Sequence, residues 1–192
     1  NIGFSYHGET EMFLKILNAY DWDFCQIQYN YMDENDRPGK AGYEELVKRG
    51  IPIVIMEPLL GGQLASVNDH IVEEFKSRRP QQSVASWAFR FAGSFPRILT
   101  LLSGMTYMDH LQDNLRTYCP FEPCTDEEFE LLEKVAKIYL DYPIIPCTSC
   151  KYCMPCPYGL DIPTIFAHYN KMVNSGNVVA SSADPEYDKA RR

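Results

Sequence analysis

Positive charge is in short supply in this sequence: 18 Lys and Arg stand against 26 Asp and Glu, for a net charge of −8. That balance leaves no basic stripe to follow a phosphate backbone or an anionic bilayer, so nucleic acid and membrane are not expected as partners. Long apolar runs are also missing. The longest are of strand length, far from the roughly 20 residues that a bilayer-spanning helix needs. No signal peptide is recognisable, there is no low-complexity tract, and there is no repeat of solenoid length. Cysteine is present, but seven is an odd number and four of the seven sit in one short run, which is not the pattern of a secreted disulfide framework. A reducing, cytoplasmic setting is the expectation. An initiator methionine is lacking too: the chain starts at Asn1, directly on an apolar strand pattern, and this suggests a piece cut from a longer protein. What remains, 45% apolar residues in 192, is enough for one medium domain or a domain with an appendage.

Along the chain, apolar periodicity alternates between strand and helix. Residues 2–5 have the pattern of a short buried strand, and Met12, Phe13, Ile16, Leu17 and Tyr20 recur at helical spacing. Phe24 to Tyr29 form a second strand, and Tyr43, Leu46 and Val47 mark a short helix closed by Gly50. Ile51 to Met56 are nearly all apolar and β-branched, as in a strand buried on both faces, and a loop, Glu57-Pro-Leu-Leu-Gly-Gly62, follows. Val84, Trp87, Ala88 and Phe91 stripe a helix expected to start near Pro80. Ile98 to Leu102 then make a fourth strand, with Leu111, Leu115 and Tyr118 on its helix. Such strand-then-helix units predict an α/β protein with a parallel sheet, because parallel strands cannot be joined by tight hairpins. Two architectures compete, an open doubly wound sheet and part of a (β/α)8 barrel. Gly3-Phe-Ser-Tyr-His-Gly8 lacks the G-x-G-x-x-G turn that the first would favour. Half a barrel leaves two unpaired edges, so the second expects further βα units ahead of Asn1. After residue 118 the repeat stops, which divides the chain into a barrel part, 1–118, and an extension, 119–192. Thr125-Asp-Glu-Glu128 is a capping box opening a helix to about Tyr142, and Asp161 is the N-cap of another that buries Ile165, Phe166, Tyr169 and Val173. The tail from Asn174 has no period and is expected to extend away or fray.

The extension carries the most informative stretch, Cys147-Thr-Ser-Cys-Lys-Tyr-Cys-Met-Pro-Cys-Pro157, whose thiols Cys147, Cys150, Cys153 and Cys156 are three residues apart. A zinc site draws on two knuckles separated by a longer loop, because one tight turn cannot wrap all four corners of a small ion. No such gap exists here. A cubane iron-sulfur cluster is larger, and a C-x2-C-x2-C loop can fold around it before a Cys-Pro leaves to open a helix. A 4Fe-4S cluster is therefore the first reading, with zinc, a disulfide or unliganded thiols as alternatives. The run resembles the bacterial ferredoxin signature C-x2-C-x2-C-x3-C-P with one residue fewer in the last gap, and in two-cluster ferredoxins that fourth cysteine serves the other cluster. By this resemblance, either Cys156 closes a single site or, as we expect, a second cysteine run lies beyond Arg192.

Together the barrel units and the cysteine run resemble the C-terminal half of an aldo-keto reductase bearing a ferredoxin-like extension, from Gly3 to Tyr169. The resemblance implies that the strands are the fifth to eighth of a (β/α)8 barrel. It further implies that NADP or NAD lies at their C-terminal ends, that a small carbonyl substrate is reduced, and that the cluster serves a redox partner protein. It puts Ser5 at the contact to the nicotinamide carboxamide, Gln26 at its glutamine partner, and Met56 where the family stacks an aromatic ring. Pro58, Leu59 and Gly61 fall in the cofactor-covering loop, and Ser103 and Gly104 in the loop approaching the phosphates. His110-Leu-Gln-Asp-Asn114 resembles Arg-Ile-x-Glu-Asn, with His110 in place of the arginine that holds the 2′-phosphate, and Asp113 and Asn114 in place of the pair that holds the adenine. An imidazole is a poor clamp for a dianionic phosphate, so preference for NADP over NAD is not implied. The family's catalytic Asp, Tyr, Lys and His belong to the first four strands; no catalytic residue is expected here, and the fragment alone would be inactive. Without the resemblance, Ser5 and Gln26 read equally well as core hydrogen-bonders, Met56 as core, His7, His70 and His168 as structural, and Cys25 as a small buried hydrophobe. The competing function is an iron-sulfur electron-transfer or partner-docking module on a barrel scaffold without reductase activity.

Overall fold

Apolar runs of strand length become four parallel strands in the computed structural model, which describes residues 1–34, 38–141 and 143–174. They are β1 (Gly3–Tyr6), β2 (Phe24–Gln28), β3 (Ile53–Met56) and β4 (Ile98–Leu101). The helices are α1 (Thr10–Leu17), α2 (Gly39–Arg49), α3 (Asp69–Arg78), α4 (Val84–Gly93), α5 (Met108–Tyr118), α6 (Asp126–Asp141) and α7 (Ile162–Asn174), with a 3-10 turn at Leu60–Ala65. The strands pair in chain order, Ser5 opposite Gln26, Ile27 opposite Ile55, and Ile55 opposite Leu101. A doubly wound sheet requires a reversal in strand order. Here every crossover steps the same way, as in the wall of a barrel. Among the described residues β1 and β4 have a strand partner on one side only, so the wall is partial.

Burial follows from this position in the sheet. Cys25, Ile27, Ile53 and Ile55 on the two central strands are fully buried, whereas Leu99 on edge strand β4 is 67% exposed. Phe13 and Leu17 of α1, Leu46 of α2, Phe75 of α3 and Trp87 and Phe91 of α4 fill the helix side of the sheet. Phe75 and Trp87 stack with ring centroids 4.7 Å apart. From α6, Leu131, Leu132, Val135 and Tyr139 join the same core.

Several local expectations hold and others need correcting. Gly50 closes α2 in the left-handed conformation at φ 72°, where a side chain would be strained. Thr125 and Glu128 form the reciprocal capping box, each side chain accepting the other's backbone N–H, and the Asp161 carboxylate accepts from the Thr164 N–H at the start of α7. Tyr20, however, is not on α1, which ends at Leu17; it packs on Trp22 at the surface. α4 begins at Val84 and not near Pro80, because Ser83 takes the N-cap and accepts from the Ser86 N–H. α3 was not foreseen, although Asn68 caps it and Ile71 and Phe75 lie one turn apart on its buried face. Leu111 and Leu115 of α5 face solvent instead of the core. On α7, Ile165, Phe166 and Tyr169 are half-buried and Val173 is buried. Tyr142 and the tail 175–192 lie outside the described residues. Among the described residues no helix is long and apolar enough to cross a membrane.

Candidate functional site

At the C-terminal ends of β3 and β4 the chain opens into a cavity of about 970 Å³. One wall is Met56, Glu57, Pro58, Leu59, Gly61 and Gly62, where the chain leaves β3. The opposite wall is Leu102, Ser103, Gly104 and Met105 after β4, with Asp109, His110, Asp113 and Asn114 on the first turns of α5. Ala85 and Phe89 of α4 also line it. All the residues singled out in sequence for cofactor contact therefore lie on this cavity, except Ser5 and Gln26. Those two reach it indirectly. The Gln26 Nε2 donates to Ser5 Oγ at 3.0 Å and to Met56 Sδ at 3.3 Å, and Ser5 Oγ donates to Met56 Sδ at 3.8 Å. Strand alternation explains the row: Phe4 and Tyr6 pack against Phe13 of α1, which turns Ser5 to the other face of the sheet. Gln26 is thus hydrogen-bonded to side chains of neighbouring strands rather than to backbone groups.

Each wall is held by its own bonds. Glu57 is left-handed (φ 53°), a conformation a side chain rarely adopts, and it turns the chain sharply out of β3. Its carboxylate accepts the Gly61 N–H, while Asn30 donates to the Glu57 carbonyl at 3.0 Å. Asn30 and Gln28 in turn donate to the Asp33 carboxylate at 2.8 and 2.6 Å, a buried polar network beside the cavity. On the other wall Asn114 Nδ2 donates to Ser103 Oγ at 3.0 Å, and Ser83 Oγ donates to Asp113 Oδ2 at 2.5 Å. His110 lies edge-on to Tyr107, with ring centroids 5.3 Å apart. Ala85, Phe89 and Asp109 were not singled out in sequence. Asp109 sits one turn before Asp113 and was open to detection; the α4 residues had no local signal.

No family profile matches the chain, and no curated protein matches it in sequence. Solved structures do match. Aldo-keto reductase AKR11C1 from Bacillus halodurans, in its holo form, aligns with a TM-score of 0.53 and 18% identity over 69% of this chain and 49% of its own. Its apo form gives 0.53 and 16% over 68% and 49%. A thermostable aldo-keto reductase, Tm1743, in complex with the inhibitor epalrestat gives 0.54 and 17% over 70% and 47%. The shared feature is the aldo-keto reductase fold. The chain spans about half the length of these structures, and the single direction of strand stepping agrees with a partial barrel.

Against this aldo-keto reductase-like wall sits the cysteine loop. Gln63 Nε2 donates to the Cys147 carbonyl at 2.6 Å, and its Oε1 accepts from Tyr139 Oη at 3.1 Å. Gly61 meets the loop so closely that a Cβ there would lie 2.6 Å from the Thr148 backbone. On the far side, the Asn170 side chain brackets Ile145, accepting its N–H and donating to its carbonyl, each at 2.7 Å. The loop that follows β3 thus contacts both the cavity and the cysteines.

Cys147 and Cys156 are half-buried, Cys150 and Cys153 exposed, and none of the four is in a disulfide. Among the described residues no three His, Cys, Asp or Glu side chains gather as a single metal ion would need. The donor set, four soft thiols within one short loop, is chemically suited to iron and sulfide. Ser149 and Lys151 are left-handed at φ 56° and 62°, and among the described residues no N–H from Thr148 to Cys153 is bonded to protein backbone. Cys25, in contrast, is fully buried on β2, and burial pushes its thiol up to about 12.

Proposed function

We propose that this chain forms the cofactor-binding half of a nicotinamide-dependent oxidoreductase that reduces a carbonyl substrate, and that its extension carries a 4Fe-4S cluster. One observation carries the reading: the segments after β3 and β4 that resemble cofactor contacts converge on one cavity, joined through Met56 to the row of Ser5 and Gln26, on a fold shared with aldo-keto reductases. A bound nicotinamide supplies the hydride. The chain's own residues bind and orient it. Ser5 and Gln26 would offer a hydroxyl and an amide to its carboxamide, Met56 would pack against it, Pro58, Leu59 and Gly61 would cover it, and Ser103, Gly104, His110, Asp113 and Asn114 would hold the remainder of the dinucleotide. No residue of this chain is assigned the proton transfer, so reduction needs groups from elsewhere in the protein. Cys147, Cys150, Cys153 and Cys156 would hold the cluster as thiolates, which supplies one-electron exchange with a redox partner protein.

Calorimetric or fluorescence titration with NADH and NADPH tests the first half of this reading; a folded protein that binds neither refutes it. Iron and sulfide analysis after anaerobic purification and reconstitution tests the second half, and a colourless protein that retains zinc refutes it. A protein that holds iron and sulfide yet binds neither nucleotide would instead be an electron-transfer or docking module on a barrel scaffold.

A further inference from the structure

We propose that the cavity selects the dinucleotide without a 2′-phosphate, NAD(H), and that Asp109 and Asp113 set this preference; the inference rests on reading the cavity as a nicotinamide-dinucleotide site. The lining contains the carboxylates of Glu57, Asp109 and Asp113, and among the described residues it contains no Lys or Arg. Glu57 is already engaged by the Gly61 N–H. Asp113 accepts from Ser83 Oγ through Oδ2 at 2.5 Å, and its Oδ1 has no bond among the described residues. Asp109, one turn earlier on the same face of α5, forms no hydrogen bond or ion pair in the described structure, and its acidic neighbour at i+4 is a pairing that helices disfavour. The first-turn position eases the charge on Asp109 through the helix dipole but does little for Asp113, a turn further in.

Asp109 is exposed and Asp113 half-buried, so both carboxylates are open to accept from a ligand in the cavity. A ribose diol supplies hydroxyl donors; in doubly wound folds an acidic side chain bonds the ribose 2′-OH of NAD whereas an arginine accommodates the 2′-phosphate, and the same chemistry applies on any scaffold that places a carboxylate at the ribose. A 2′-phosphate brings only acceptors and added negative charge to a wall that is already negative. His110, the one side chain of the lining able to carry positive charge, is packed edge-on against Tyr107.

The test is equilibrium titration of the protein at its natural length with NADH and NADPH, at low and high salt. NADH should bind at least about tenfold tighter at low ionic strength, with the gap narrowing as salt screens the carboxylates. Asp109→Asn and Asp113→Asn should each narrow the gap by tightening NADPH; a merely structural role would weaken both nucleotides alike and would overturn the assignment. Should Asp113→Asn fail to fold for weakening of the Ser83 contact, Asp109→Asn still decides, because its carboxylate has no bond among the described residues. Equal binding, or tighter NADPH, overturns this proposal and leaves the dinucleotide reading standing. Binding of neither nucleotide overturns that reading itself.

Discussion

Glu128 ties the start of the extension to the helix that lines the cavity, and this connection has a calculable pH dependence. Its carboxylate accepts from Arg90 Nη1 and Nη2 at 3.1 and 2.6 Å, from Arg79 Nε, and from the Thr125 N–H at 3.0 Å. Arg90 also donates to the carbonyls of Glu122 and Pro123, at 2.9 and 3.0 Å, so that α4 grips the whole segment. Burial raises the pKa of Glu128, but the hydrogen bonds from Arg90 and Arg79 outweigh it and hold the carboxyl at about 2, against an ordinary 4.5. A folded pKa below the unfolded one means stability that is fully present above about 4.5 and is lost as pH falls towards about 2. At about 1.4 kcal/mol per unit, and reduced for solvent screening, the contribution is about 2–3 kcal/mol. Glu128→Gln abolishes that titration and leaves the fully buried Arg90 guanidinium uncompensated, at a cost on the order of 3–5 kcal/mol near neutral pH. Urea denaturation from neutral to strongly acid pH measures both. The wild type should lose about 2–3 kcal/mol more than the variant across the acid window. Parallel acid profiles for the two would refute the argument. An Arg90→Met, Glu128→Leu double variant removes both charges together and should be more stable than Glu128→Gln alone.

Gly61→Ala combines a left-handed φ of 64° with a clash against Thr148; it should cost more than about 1 kcal/mol in denaturation and increase thiol labelling of Cys147 in cluster-free protein, and unchanged labelling there would show that the loops are not coupled. Gln63→Ala removes the bonds to Cys147 and Tyr139 and should cost about 1–2 kcal/mol, read in the same denaturation assay. Cys25, its thiol pushed up to about 12 by burial, should resist maleimide in mildly alkaline buffer until the protein unfolds, while the exposed Cys150 and Cys153 of cluster-free protein react at once; prompt labelling of Cys25 would contradict its burial.

The sequence by itself determined whatever depends on neighbours within a turn or two. Ile51 to Met56 announce a strand buried on both faces because no polar residue interrupts them, and the capping box of Thr125 and Glu128 marks the start of α6 because its two bonds close over three residues. Cysteine spacing made the thiol-rich loop of the extension legible for the same reason. Only the tertiary structure decided what depends on distant segments meeting. Pairing of the strands in chain order, which separates a barrel wall from a doubly wound sheet, is a property of crossovers and not of any strand. The full burial of Arg90 required Glu128, Glu122 and Pro123 to arrive from another segment. The clasp of Gln63 on Cys147 joins residues 84 positions apart. No local pattern encodes such a contact, because it exists only once the core has packed α6 against the sheet and brought the two loops to the same side.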